Sequence, residues 1–242
     1  MFDPFKDFDT AGYLRNFEGE KDLEIVKMAE HELFRAKLPE AVAYLGGLEN
    51  LTYKDFLKVH QILFQGVYPW AGQERAITTP ESAINKGQVF FAHPVDAARA
   101  VKEGLRLGQD IDKMRMRPGE VMGLFAYGHP FLDGNGRTML LVHAELCQRA
   151  GFSIFWQKTH KNDYLLALTN EISTPGKGIL DRYLLQFIGP AEPRGTWINT
   201  VATLNGLDGT SAQDEIGGSF SDPAIVAQYR QFEQQRGYEI KD

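Results

Sequence analysis

Gly128-His129-Pro130-Phe131-Leu132-Asp133-Gly134-Asn135-Gly136-Arg137-Thr138 separates two apolar segments. The first carries Val121, Leu124 and Phe125 at helical spacing, and the second runs from Met139 to Leu146. A polar loop between two buried helices is costly unless the loop is itself the site. His129 brings an imidazole, whose ordinary pKa of about 6.5 suits a proton acceptor near neutral pH. Asp133 offers hard oxygens to a cation such as Mg²⁺, which takes one or two carboxylates and completes its shell with phosphate and water. Gly134, Asn135 and Gly136 allow close backbone approach, so their N–H groups can converge on an anion at the start of the next helix. Arg137 sits in that helix's first turn, where the dipole disfavours a cation unless an anion is bound nearby. A base, a metal ligand, an anion cradle and a guanidinium are the parts of phosphoryl or nucleotidyl transfer.

Taken singly, the same residues also suit an ordinary turn. Two other nucleotide or metal motifs are excluded by position. An EF-hand opening at Asp133 would need Gly and Glu where Thr138 and Ala144 stand, and its fifth position is Arg137. A Walker loop needs Gly-Lys-Ser/Thr, which is absent from the chain.

The nine residues 129–137, His-Pro-Phe-Leu-Asp-Gly-Asn-Gly-Arg, resemble the signature of Fic-domain (Fic/Doc) proteins. Upstream, Leu51-Thr52-Tyr53, His60, Phe64, Val67-Tyr68-Pro69-Trp70-Ala71-Gly72 and Arg75 resemble that family's helix and the segment entering its flap. The resemblance covers roughly residues 10–190. It implies a mainly α fold, a compact helical bundle with a β-hairpin flap beside the active-site loop. It also implies an adenylyltransferase that moves AMP from ATP to a Ser, Thr or Tyr hydroxyl of a target protein, with Mg²⁺ as cofactor. In that scheme His129 is the base, Asp133 the metal ligand, and Gly134, Asn135, Gly136 and Arg137 the nucleotide-phosphate site. Phe131 anchors the loop, and Ile77, Thr78, Lys86, Gly87 and Phe90 belong to the flap that docks the target. The implied partners are the target and a separate inhibitory, antitoxin-like chain, in the cytoplasm or after delivery into a host cell. One position departs from the pattern: a second Arg is expected three residues after Arg137, and Leu140 stands there. That Arg would hold the terminal phosphate, so Leu140 keeps open another donor, a different nucleotide or phosphocholine. A nucleotide-binding partner protein without turnover is the remaining alternative.

The whole chain sets outer bounds. Its 242 residues, 43% hydrophobic, suffice for one sizeable core. A net charge of −6 argues against a general nucleic-acid binder. The single cysteine, Cys147, excludes an intrachain disulfide and suits a reducing compartment. Asp3, Lys6, Asp7 and Asp9 interrupt the first residues, unlike a signal peptide, and no apolar run approaches bilayer length, so no membrane role is expected.

Periodicity predicts a first helix over about 21–38 with Ile25, Met28, Ala29, Leu33 and Ala36 facing the core, ended by Pro39 and Gly46-Gly47. Thr52 and Asp55 have capping-box spacing ahead of Phe56, Val59, Leu63 and Phe64, with His60 read as a packed histidine. Residues 76–79 and 88–92 read as the two strands of a hairpin, whose exposed edge could register an extended peptide. Pro94 opens a helix through Val101, Leu105 and Ile111, closed by Arg117-Pro118; its cluster of basic residues is diluted by acids and is assigned no function. The helix after the loop, about 136–149, reads as the central buried element, with His143 and Cys147 as core residues and not metal ligands. Thr159 is placed to cap a helix carrying Tyr164, Leu168 and Ile172, and a last helix holds Ile179, Tyr183, Leu184 and Phe187. The domain reading is 1–194 for the helical unit and 195–242 for an extension, with a Gly/Ser-rich linker over 205–222 and a short helix near Pro223–Arg236. Within it Ser211 and Glu215 have the spacing of a Ser/Thr-x-x-x-Glu inhibitory helix seen in the family. With Leu140 that Glu would lack its arginine partner, so self-inhibition of this kind is not expected.

Overall fold

The computed structural model describes residues 15–86, 89–203 and 215–238. A long helix α1 (Leu23–Gly46) packs on α2 (Tyr53–Phe64); a helical turn α3 (Arg75–Thr78) leads to strands β1 (Ser82–Lys86) and β2 (Val89–Phe90). Then come α4 (Pro94–Gly108), α5 (Ile111–Met116), α6 (Pro118–Gly128) and α7 (Asn135–Arg149), followed by β3 (Phe152–Ile154), α8 (Lys161–Ser173), α9 (Ile179–Leu184) and β4 (Ile188–Pro190). Helix α10 (Arg194–Thr203), strand β5 (Glu215–Ser219) and α11 (Pro223–Arg236) complete the described chain. The fold is mainly α, a helical bundle with small β elements, as the sequence implies. No helix among the described residues is long and apolar enough to cross a membrane.

The central place falls to α6, every residue of which is buried. Apart from Glu120 in its first turn it is apolar or aromatic on all sides, because α4, α7, α8 and α9 surround it. Pro118 at its first position suits a helix start, where the missing N–H is no loss. The Asp181 carboxylate of α9 then accepts from the next two amides, Gly119 at 2.6 Å and Glu120 at 3.3 Å. Helix α7, the element that hydrophobicity marks as central, is its buried neighbour. There His143 Nε2 lies 2.7 Å from the Pro118 carbonyl and 3.5 Å separates Cys147 Sγ from His143 Nδ1, so both are packing residues.

Several sequence expectations are corrected. Helix α1 does not bury Ile25, Met28, Ala29, Leu33 and Ala36; Met28 is 65% exposed. Its inward stripe is Val26, Glu30, Phe34 and Leu38, at i, i+4 spacing, and it contains a carboxylate. Pro39 lies inside the helix, which runs on to Gly46. The helix opening at Pro94 stops at Gly108, because the Asp110 side chain accepts from Lys113 N (3.2 Å) and starts α5 anew. Residues Arg75–Thr78 are helical, so the first flap strand is Ser82–Lys86 and Ile77 and Thr78 precede it. Lys86 ends β1, Gly87 lies outside the described residues, and Phe90 on β2 is buried. Helix α10 packs on α1 and α7, with Trp197 and Val201 buried, so residues 195–203 share the main core.

One close approach tests this packing. A Cβ on Gly119 would come within 2.3 Å of Asp181 N and 2.5 Å of the Leu180 carbonyl carbon. Both are backbone atoms that cannot step aside cheaply. Gly119→Ala should therefore destabilise the fold by roughly 1–3 kcal/mol and lower Tm by several degrees. Thermal unfolding followed by circular dichroism measures this, and an unchanged Tm would show that α6 and α9 are further apart.

Candidate active site

The loop between α6 and α7 begins with strain. His129 has φ 43° and ψ 56°, a left-handed conformation unusual for a side chain with a Cβ. Such strain persists only where the surroundings enforce it. Here Arg75, buried on α3, donates from Nε to the His129 carbonyl (2.7 Å) and from its own backbone N to the Pro130 carbonyl (2.7 Å). The same guanidinium donates to Ala92 O (2.8 Å) and Ser82 O (3.4 Å), so one side chain ties the flap to the loop. The imidazole of His129 stacks on Phe91, with centroids 3.9 Å apart and planes 15° from parallel.

Further along, the loop is built from inside. Phe131 is fully buried, stacked on His60 at 3.7 Å and on Phe56 at 6.0 Å, which fits the anchor role. His60 Nδ1 accepts from the Gly72 amide (2.9 Å) and its Nε2 lies 3.0 Å from Asp133 O. A nitrogen that accepts from an amide carries no proton, so Nε2 is the donor and the ring is neutral. Burial pushes its pKa down to about 3, against the pull of the Asp133 carbonyl. Asn135 uses both ends of its amide on Phe131, accepting from N (2.9 Å) and donating to O (2.8 Å). Its side chain therefore shapes the loop; only its backbone N–H is left for an anion.

Gly134, at φ 75°, turns the chain into α7. Its N–H donates to Asp133 Oδ1 (2.5 Å), so the first amide of the expected cradle is engaged by the loop's own carboxylate. Gly136 is helical, and a Cβ there would meet nothing within 4 Å, which leaves open space beside the head of the helix. The first helical amides, those of Asn135, Gly136 and Arg137, have no intrahelical acceptor by geometry.

The charged residues form one network that includes two side chains from α1 that sequence reading passed over. Asp133 Oδ2 is bound by Lys27, and Oδ1 lies 3.5 Å from Arg137. Burial pushes the Asp133 carboxyl up, but Lys27 and Arg137 outweigh it and hold the pKa at about 2. Arg137 pairs at 2.5 Å with Glu30, a carboxylate with no exposure, which also accepts from Tyr68 OH and lies 3.4 Å from Lys27. Phe64 and Phe34 flank the guanidinium at 4.6 and 5.4 Å. Arg137 is thus buried and committed to Glu30, and not a free clamp for phosphate as its position suggested. The sequence signal for Glu30 was a charge at i, i+4 spacing within Val26, Phe34 and Leu38. No group of three or more His, Cys, Asp or Glu able to hold a metal occurs among the described residues.

A family model described as the Fic/DOC family matches residues 50–147. The protein adenylyltransferase VbhT of Bartonella schoenbuchensis is 28% identical over 177 residues, covering 66% of this chain; the chain spans 34% of VbhT. The probable protein adenylyltransferase y4lH of Sinorhizobium fredii is 30% identical over 136 residues, 51% of this chain and 67% of its own length. Among solved structures, the N-terminal Fic domain of a VirB-translocated Bep effector protein from Bartonella quintana, with bound ADP, superposes at TM-score 0.63. It is 18% identical over 81% of this chain and 100% of that one. BepC from Bartonella tribocorum, with bound AMPPNP, gives 0.59 at 17% identity over 74% of this chain and 93% of its own. At such identities the structures speak for the fold.

The buried histidines set the acid response. His60 and His143, held down to about 3 and about 4 by burial, stay neutral in the native state from pH 6.5 down to about 4, where the unfolded chain protonates them. Stability is thus full above that pH and is lost as pH falls. Asp181, pushed up to about 6 by burial beside Glu171 and Glu120, takes up a native-state proton and offsets one of the two. The net dependence between about pH 4 and 6 should approach 1.4 kcal/mol per pH unit. Urea unfolding across this range should show that slope in the wild type and a profile flatter by about one proton in His60→Gln. Equal slopes would contradict the neutral assignment.

Proposed function

Because this chain belongs to the Fic/DOC family, we propose that it transfers the AMP moiety of ATP to a serine, threonine or tyrosine hydroxyl of a target protein. A Fic-type transferase follows from family membership; the donor, the chemistry and the acceptor are proposed from the site. The observation that carries it is His129, held in a strained conformation by Arg75 and Phe91 one loop away from the open head of α7. Strain enforced at a proton-accepting side chain beside an anion-binding helix end is expected of a catalytic base. The relatives named as adenylyltransferases, and the ADP and AMPPNP held by two proteins of this fold, support a nucleotide donor.

In this mechanism the acceptor hydroxyl gives its proton to His129 while its oxygen bonds to the α-phosphorus. The bond from that phosphorus to the bridging oxygen of the β-phosphate breaks, and pyrophosphate leaves with the electron pair. The amides heading α7 align the phosphates, with the helix dipole behind them. Arg137 and Lys27 supply positive charge from beneath the loop. Asp133 is ionised and partly exposed at the loop, so it fits Mg²⁺ once Lys27 yields Oδ2. Bound there, the ion would supply charge neutralisation at the phosphates.

Leu140 favours a second reading. It is buried in α7, so no guanidinium stands where the family's second Arg would reach the terminal phosphate. A donor that does not need that contact, another nucleotide or a phosphocholine carrier, fits this position equally well.

His129→Ala should lower transfer from α-labelled ATP by roughly 10²-fold or more while nucleotide affinity by calorimetry stays nearly constant. Near-normal transfer would remove His129 from the chemistry. Intact-mass spectrometry after incubation with ATP, GTP, UTP and CDP-choline in turn separates the two readings. An AMP adduct with ATP alone supports adenylylation, and an adduct from another donor alone supports the second.

A further inference from the structure

The flap is not a two-stranded hairpin with a free edge. Strand β1 is the centre of a three-stranded sheet in the order β2-β1-β5. Strand β5 pairs antiparallel with β1, Ser82 opposite Ser219, Ala83 opposite Gly218, Ile84 opposite Ile216 and Asn85 opposite Glu215, with a register shift between Ala83 and Ile84. A segment far along the sequence has therefore added itself to the flap through main-chain pairing, the way an extended peptide adds to a sheet edge. Glu215 lies in this strand and not in an inhibitory helix; Ser211 is outside the described residues.

The edge it covers is coupled to the site. The Arg75 guanidinium that holds the His129 carbonyl also reaches Ser82 O at the start of β1, and Phe91 N donates to Ile84 O (3.1 Å) while its ring lies on the His129 imidazole. A chain laid along the outer edge of β1 is held in fixed register to that histidine.

The covering segment has one firm part and one weak part. Helix α11 is anchored: Phe232 and Tyr229 pack on Phe90 at 6.0 Å, Tyr229 OH accepts from His93 N (3.1 Å), and Arg236 lies over the Tyr127 ring at 3.4 Å. Strand β5 contributes two glycines at its middle. A Cβ at Gly217 would lie 2.2 Å from Asn85 Oδ1, and one at Gly218, whose φ is 153°, would lie 2.8 Å from Ile225 Cγ1. Two of the five residues of β5 are thus glycines, which bring no side chain to hold them, and interior glycine weakens a strand, so these main-chain bonds are exchangeable for those of another strand.

We propose that β5 is a placeholder in cis on the edge of β1 that docks the target, and that an extended protein segment, antiparallel to β1 and small where Asn85 and Ile225 approach, enters by displacing it. This rests on the reading of the flap as a docking edge in the transfer reaction. The test uses the full chain, wild type and Gly217→Val/Gly218→Val, with a fluorescein-labelled peptide of residues 215–222 as probe. In the variant, hydrogen exchange at the Ala83 and Asn85 amides, which face β5, should accelerate at least tenfold, and the peptide should bind at least tenfold more tightly than to wild type and restore protection. Unchanged protection in the variant, or lost protection without peptide uptake, overturns the proposal. Should that variant not fold, Ser82→Cys/Ser219→Cys replaces it: peptide must be taken up when reduced and refused when the two are cross-linked, and equal uptake in both states overturns the proposal. Since the probe needs no nucleotide, peptide uptake by a chain that transfers nothing would leave the docking edge standing and remove only the AMP-transfer reading.

Discussion

A carboxylate with no access to water organises this molecule. Taking an unpaired charge out of water costs several kcal/mol even after relaxation, so Glu30 is tolerable only with partners around it. Arg137 and Lys27 supply the opposite charge, and Tyr68 supplies a hydroxyl. Each of those partners belongs to a different part of the site. Arg137 is the end of the signature, Lys27 reaches Asp133 at its middle, and Tyr68 leads toward the flap. Helix α1 is thereby joined to the loop by charge, and to α2 by Phe34 against Phe64, whose rings lie 6.1 Å apart. Removing a single partner leaves the others buried and unbalanced, so the network acts as one unit.

Around that unit, histidines divide two tasks. His60 is sealed in the core, neutral, and spends its ring nitrogens on two backbone groups, the Asp133 carbonyl of the loop and the Gly72 amide ahead of α3. His129 sits on a backbone that only its neighbours make tolerable; its own carbonyl receives the Arg75 Nε bond, and the next carbonyl, that of Pro130, receives the Arg75 backbone N. The ring is thus positioned without its nitrogens being consumed by Arg75. This division follows from placement: one imidazole lies on the inward face of α2, the other at a helix end where the chain must reverse.

Much of this was readable beforehand where a local rule sufficed. The Thr52–Asp55 capping box is present, with Thr52 N and Oγ1 donating to Asp55 Oδ2 at 2.8 and 2.6 Å, and the helices flanking the signature fall where periodicity puts them. The bounds failed where a distant partner decided. Helix α1 turns its more polar stripe inward because Arg137 and Asp133 wait there, a hundred residues away, and propensity cannot weigh an ion pair of that span. Residues 76–79 have strand-forming side chains, yet Arg75 must present its backbone N to Pro130 and its guanidinium to the loop, and a helical turn does both. Pairing of β1 with β5 was invisible for a similar reason, since Glu-Ile-Gly-Gly-Ser carries almost no strand signal of its own. The signature marks the loop but not its internal partners: the Asn135 side chain is bonded to Phe131 and Arg137 is paired with Glu30, which no local rule announces.

The order of the chain gives the β1–β5 pairing a meaning in time. About 130 residues separate the end of β1 from the start of β5. At ribosomal rates of roughly 5–20 residues per second, the signature loop and its supporting helices emerge on the order of ten seconds before the strand that covers the flap. For that interval the nascent chain presents an unsatisfied row of amides and carbonyls, the kind of border that recruits other polypeptides. On that order of synthesis the edge of β1 exists before β5 does, and whatever extended segment is nearest can claim the place first.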